Sequence, residues 1–222
     1  MTKAFVSWSG GKESCNAYFK ALSAGFDVHC LVNMVTVDGK ASMTHGISSE
    51  LLQAQAKAIG VALVQRETTW HNYEQDFKKI LNELRREGVE YGIFGEIDIQ
   101  EHRDWVERVC KEVGIEPILP LWGMLRSKLL RDFIATGFKA IVVAANSKLF
   151  GKEWLGRRID LSFIRDLSKL KNIDLCGEQG EYHTFVVDGP IFNKRIEIGN
   201  CTKVLKNGYW FLEISEYELY DK

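Results

Sequence analysis

Between a strand-like run, Lys3 to Ser7, and a segment whose Cys15, Tyr18, Phe19 and Leu22 fall at i, i+3, i+4 and i+7 stands Ser7-Trp8-Ser9-Gly10-Gly11-Lys12-Glu13-Ser14. A strand-to-helix turn of this composition suits an anion. The helix directs its free N–H groups and its positive dipole end at the turn. The two glycines let a ligand approach the backbone, Ser9 and Ser14 add hydroxyl donors, and Lys12 adds a charge. Phosphate is the expected guest. The spacing is neither the Walker A Gly-x-x-x-x-Gly-Lys-Ser/Thr nor the dinucleotide fingerprint Gly-x-Gly-x-x-Gly.

A second constellation lies late in the chain, at Cys176-Gly177-Glu178-Gln179-Gly180-Glu181-Tyr182-His183-Thr184. Two carboxylates so close together, Glu178 and Glu181, could face one pocket and hold a cation or accept a proton. Read alone, the segment is better taken as an exposed acidic turn before a strand. Met34 ends the second apolar run, where an adenine would stack or meet the backbone, although a core methionine fits the same pattern. His45 follows in a loop and could reach a phosphate or an acceptor. Arg103 and Arg157 are candidate anion clamps or ordinary surface arginines, and Trp122 and Trp154 could flank a substrate or simply pack.

These residues need a scaffold, and the first two thirds of the chain supply the rhythm of βαβ units. Val28 to Val37 reads as a strand, Ser48 to Ile59 as a helix and Ala62 to Gln65 as a short strand. Phe77, Ile80, Leu81 and Leu84 repeat the helical spacing, Tyr91 to Phe94 reads as a central strand, and Val106, Val109, Cys110 and Val113 mark another helix. Two of the three prolines then interrupt the pattern at Glu116 to Gly123, and a lobe boundary is expected between residues 122 and 123. Beyond it come a helix with Leu125, Leu129, Phe133 and Ile134, a buried strand from Ala140 to Ala145, and a β-rich tail from Thr184. Asn207-Gly208 marks a hairpin between Thr202 to Leu205 and Tyr209 to Ile214. The expected architecture is α/β: a Rossmann-like parallel sheet flanked by helices, with a smaller β-rich C-terminal lobe packed closely against it.

Composition narrows the function. The 222 residues are 45% hydrophobic and 27% charged, which excludes disorder, and 29 basic against 30 acidic residues give no broad cationic field for nucleic acid. No apolar run reaches membrane-spanning length, and the N-terminus shows no signal-peptide core, so no membrane partner and a cytoplasmic location are expected. Cys15, Cys30, Cys110, Cys176 and Cys201 form no Cys-x-x-Cys pair, so free thiols are expected and a zinc site built by the protein is not. A homodimer stays open.

Ser-Gly-Gly-Lys-Glu-Ser resembles the PP-loop of the ATP pyrophosphatase superfamily, whose members cleave ATP between the α and β phosphates. The Glu178 segment, followed by Val187-Asp188-Gly189-Pro190-Ile191-Phe192, is similar to the Gly-Glu-x-Gly-Glu-Tyr/Phe-x-Thr stretch of the diphthine ammonia ligase family. Thr44-His45, Gly95-Glu96-Ile97, Arg103, Pro120-Leu121-Trp122 and Trp154-Leu155-Gly156-Arg157 fall in that family's order. The resemblance spans nearly the whole chain, without the C-terminal extension of longer eukaryotic members. Glu13 stands at the usual Asp of the loop, and Trp105 where some relatives carry Arg.

The resemblance implies an ATP-dependent amide ligase that adenylates a carboxylate, releases pyrophosphate, and lets ammonia displace AMP. It implies ATP and Mg²⁺ as reactants brought to the site, ammonium as a second substrate, and elongation factor 2 carrying diphthine as the acceptor. ATP would be bound by Ser7, Ser9, Gly10, Gly11, Lys12, Glu13, Ser14, Met34, His45 and Gly95. Lys12, Glu178 and Glu181 would serve catalysis, and Arg103, Trp122, Trp154, Arg157, Tyr182 and Thr184 the acceptor. Residues 1–122 would form the ATP-binding domain and 123–222 the acceptor-binding lobe. Two alternatives remain: the same ATP chemistry on another carboxylate or small-molecule acceptor, and a non-catalytic adenine-nucleotide-binding module.

Overall fold

The computed structural model describes residues 2–43 and 45–222, so Thr44 of the Thr44-His45 pair lies outside the described residues. The first half alternates β1 (Lys3–Ser7), α1 (Lys12–Ser23), β2 (Asp27–Thr36), α2 (Ser49–Ile59), β3 (Ala62–Thr68), α3 (Tyr73–Arg86), β4 (Tyr91–Ile93), α4 (Gln100–Val113) and β5 (Glu116–Ile118). The strands form a parallel sheet in the order β3-β2-β1-β4-β5. Ala4, Phe5 and Val6 are wholly buried, as the apolar run of a central parallel strand requires. From β1 the chain proceeds outward to β2 and β3, then crosses over to β4. The strand order therefore reverses at β1, and a crevice opens beyond the C-terminal ends of β1 and β4.

Helix signals read from the sequence lie close to the observed ends. Ser48 caps α2 by accepting from Leu51 N, and Gly60 closes it in the left-handed region. Leu22, expected on the buried face of α1, is instead 41% exposed. The prolines near 117–120 do not abolish structure either. Pro117 sits in β5 opposite Gly92, on the sheet edge, where a missing N–H costs no ladder bond.

The second half comprises α5 (Arg126–Ala135), β6 (Lys139–Asn146), α6 (Leu161–Leu167), β7 (Tyr182–Asp188), β8 (Lys194–Ile198), β9 (Cys201–Lys206), β10 (Tyr209–Ile214) and β11 (Tyr217–Asp221). Four of its strands form an antiparallel sheet, β7-β6-β10-β9, and β11 pairs with β8. The hairpin falls at Asn207-Gly208, both with positive φ (48° and 80°), as a tight two-residue turn demands.

One hydrophobic core runs through both halves and includes Val6, Leu52, Phe133 and Phe185. The seam between the halves lies under the phosphate loop. Val186 N donates to Gly10 O (3.0 Å), Lys12 N donates to Thr184 Oγ1 (3.1 Å), and the fully buried Gln55 donates to Gly10 O (3.0 Å) and Val186 O (2.6 Å). Among the described residues no helix is long and apolar enough to cross a membrane.

Candidate active site

A cleft of about 640 Å³ opens at the reversal point of the sheet. Ser7, Ser9, Lys12, Glu13 and Ser14 form its loop side, Asn33 and Met34 its β2 side, and Gly95 and Glu96 its β4 side. Across from them lie His45, Glu178, Tyr182, His183 and Thr184. Gly10 and Gly11 form the loop's backbone, which the rest of the structure approaches closely. A Cβ on Gly10 would stand 2.5 Å from Leu52 Cδ2, and one on Gly11 would stand 2.9 Å from His45 Cε1. Gly95 is equally confined, with the Glu13 backbone 3.0 Å from where its Cβ would be. Ser9 Oγ lies 3.3 Å from Ser14 Oγ and accepts from Gly11 N at 3.3 Å, so the turn is preformed.

Lys12 opens α1 almost fully buried. Its ammonium lies 2.7 Å from Glu13 Oε1, donates to Cys176 O at 2.5 Å, and stands 4.8 Å from the Tyr182 ring centre. Burial works against that charge, but Glu13, Tyr182 and Cys176 outweigh it and hold the pKa above the ordinary lysine value. Glu13, one methylene longer than the usual Asp, thus folds back onto the lysine.

The two glutamates expected to act together are separated. Glu178 lines the cleft, and burial, then the Glu13 carboxylate, push its pKa up to about 8 against the opposing pull of Lys12. Glu181 is 3% exposed, and its carboxylate accepts from Asp174 N and Gln179 N, both at 2.9 Å. It ties the loop to itself rather than facing the cleft. His45 and His183 lie against each other with ring centres 4.5 Å apart and planes tilted by 33°. Burial keeps both neutral, His45 well below its ordinary pKa and His183 at about 4, and the nearby Lys12 lowers them further.

Two expected acceptor contacts, Tyr182 and Thr184, line the cleft; their hydroxyls meet Leu175 O and Lys12 N. The other four do not line it. Arg103 stacks over Trp122 at 5.0 Å and bonds Glu107, while Arg157 stacks over Trp154 at 4.5 Å and bonds Asp166.

Sequence reasoning passed over Asn33, Gln55 and Asp174. Asn33 Nδ2 donates to Trp8 O at 2.7 Å, and its Oδ1, with His45 Nδ1, is a buried side-chain atom without a partner among the described residues. The signal was a polar residue inside the apolar Val32-Asn33-Met34 run. For Gln55 it was a polar residue on the buried face of α2, in line with Leu51 and Leu52.

Domains described as Diphthamide synthase N-terminal domain and Diphthamide synthase C-terminal domain match residues 2–117 and 126–219. The chain belongs to the diphthamide synthase family. Relatives named "Diphthine--ammonia ligase" include those of Mus musculus (26% identical, covering 95% of this chain and 88% of the relative) and Danio rerio (29%, 89% and 86%). The Schizosaccharomyces pombe relative is 29% identical over 85% of this chain but only 34% of its own length. A solved structure titled as a predicted subunit of tRNA methyltransferase from Methanocaldococcus jannaschii has the same fold, with TM-score 0.50 and 15% identity over 85% of this chain and 98% of its own. Membership in the diphthamide synthase family makes the chain an ATP-dependent carbon–nitrogen ligase. The cleft thus belongs to an amidating enzyme.

Proposed function

We propose that the cleft binds ATP with its phosphates on Ser9 to Ser14 and its adenine beside Met34, and that the enzyme amidates the carboxylate of diphthine on elongation factor 2. The carrying observation is the juxtaposition, in one cleft, of a preformed cationic phosphate loop with Glu178. A carboxylate resists ammonia because oxide is a poor leaving group. One carboxylate oxygen attacks the α-phosphorus, the bond to the β-phosphate oxygen breaks, and pyrophosphate leaves. Ammonia then attacks the acyl carbon, AMP departs with the former carboxylate oxygen, and the nitrogen loses a proton. Lys12 and the first-turn N–H groups of α1 hold the polyanion.

Glu178, ionised, attracts ammonium and accepts its proton, while Glu181 shapes the loop that carries Glu178. The 1–122 segment serves ATP and the 123–222 segment the acceptor, joined there by Arg103 and Trp122 of the first. The stacked Arg103–Trp122 and Arg157–Trp154 pairs are surfaces for the acceptor protein, outside the reacting cleft.

Among the described residues no group of three or more His, Cys, Asp or Glu side chains could hold a metal ion. Mg²⁺ fits here as an ion escorted by phosphate, with the hard oxygens of Glu13 at the cleft wall available to its shell. When bound it supplies charge neutralisation to the triphosphate.

Product chromatography with ATP, Mg²⁺, ammonium and diphthine-bearing elongation factor 2 tests the reading. AMP and pyrophosphate are expected in step with amide formation. ADP as the main product would reject α-phosphate activation, and AMP formed only with a different carboxylate would reject the acceptor.

A further inference from the structure

Arg126, the first residue of α5, reaches both acidic walls of the cleft although it lines neither. Its fork meets Asp98 twice, Nε to Oδ2 at 2.8 Å and Nη2 to Oδ1 at 2.6 Å. Its remaining nitrogen, Nη1, lies 2.9 Å from Asp174 Oδ2. Asp98 stands two residues beyond the cleft-lining Glu96, in a turn fixed by the bond from Gly123 N to Ile97 O (2.8 Å). Asp174 holds the opposite wall: its carboxylate accepts from Glu178 N at 2.6 Å and Cys176 N at 3.1 Å. The Cys176 thiol in turn donates to Arg126 O at 3.3 Å. One guanidinium thus joins the backbone of Glu96's turn to the backbone of Glu178's loop.

Resting on the reading of Glu178 as the ammonium carboxylate, we propose that Arg126 is a positioning residue that sets the spacing of Glu96 and Glu178 across the cleft, acting through Asp98 and Asp174. The planar fork is what makes this placement rigid. A lysine at the same position offers a point charge that cannot engage Asp98 bidentately and Asp174 together. The Asp174 side chain is 7% exposed, so its two backbone bonds and its ion pair are sheltered from competing water. The ATP loop is held by Gln55, Thr184 and Val186, on other elements, and meets this strut at one bond, from Lys12 Nζ to Cys176 O. Loss of Arg126 therefore falls chiefly on the ammonium step, because the nucleotide loop keeps its bonds to Gln55, Thr184 and Val186.

The test compares wild type, Arg126→Gln and Arg126→Lys in steady state with ATP, Mg²⁺ and diphthine-bearing elongation factor 2, using either ammonium or hydroxylamine as the nucleophile. Hydroxylamine is uncharged at the assay pH and needs no carboxylate to hold it. In Arg126→Gln the KM for ammonium rises roughly 10- to 100-fold, as displacement by about an ångström does to aligned groups. The KM for ATP and the hydroxylamine turnover stay within about twofold. Should the Gln variant not fold, Arg126→Lys keeps the charge, loses the fork and carries the same comparison. An unchanged ammonium KM overturns the proposal, as does a parallel loss with ATP, ammonium and hydroxylamine, which marks a merely structural strut. Wild type without saturable ammonium dependence would instead reject the underlying role of Glu178.

Discussion

Replacing Glu178 with Gln should stabilise the protein while disabling it, because the cleft holds this carboxyl far from its preferred ionisation. Its pKa stands at about 8 against an ordinary 4.5, with burial first and Glu13 second among the causes. Between those two values the folded state binds a proton that the unfolded state has released, so stability falls as pH rises through this window and levels off above pH 8. At about 1.4 kcal/mol for each pH unit, the full penalty is about 3 kcal/mol at pH 7 and about 5 kcal/mol above pH 8. Water at the cleft mouth screens part of this, and about half, roughly 2 kcal/mol at pH 7, is the working figure. Gln has the same shape and no charge to desolvate. For a chain of this length that gain raises Tm by about 4–8 °C at pH 7, more at pH 9, and by about 1 °C at pH 5. Differential scanning calorimetry of both proteins at the three pH values measures the effect, with ammonium-dependent turnover as the companion assay. A Tm gain independent of pH, or a loss of stability at pH 9, would refute the argument.

Lys12→Ala should weaken ATP binding by roughly 10- to 100-fold, the worth of one charge-assisted bond to phosphate, and calorimetric titration beside Glu178→Gln should show no such loss in the latter. Gly10→Ala should cost about 1–3 kcal/mol, since φ is +76° and the new Cβ would meet Leu52 and Gln55; chemical denaturation measures it. Glu178 should titrate at higher pH in the ATP complex than in the AMP complex, because pyrophosphate adds negative charge beside it; carbon NMR of the labelled carboxyl would read both values, and equal values count against the shared cleft.

The parallel sheet was legible because its signals are local. Apolar runs such as Val28 to Val37 and helical spacings such as Phe77 to Leu84 each reflect one element packing on one neighbour, and the glycine and Asn-Gly stops mark the ends. What escaped depends on tertiary context. The three-residue β5 carries Pro117, which reads as a break unless its edge position is known. Helix α6 has seven residues, too few to show two turns of apolar period, and it is held by Asp160 accepting from Phe163 N at 2.8 Å.

The site divides along the same line. The phosphate loop is contiguous, so its chemistry could be read from eight successive residues, whereas the acidic segment shows its carboxylates but not their directions. Glu178 and Glu181 are equivalent as letters. Gly177 and Gly180, with φ of +74° and +80°, turn the chain twice between and beside them, and that puts one carboxylate in the cleft and the other on backbone N–H groups. A buried carboxylate already bonded to two backbone donors has little capacity left for ammonium. One that is half-buried beside Glu13, without such donors among the described residues, is raised in pKa and ready to exchange its proton for a cation. On the proposed reading, chemistry therefore falls to the glutamate that the fold leaves unsatisfied, and the satisfied one keeps it there.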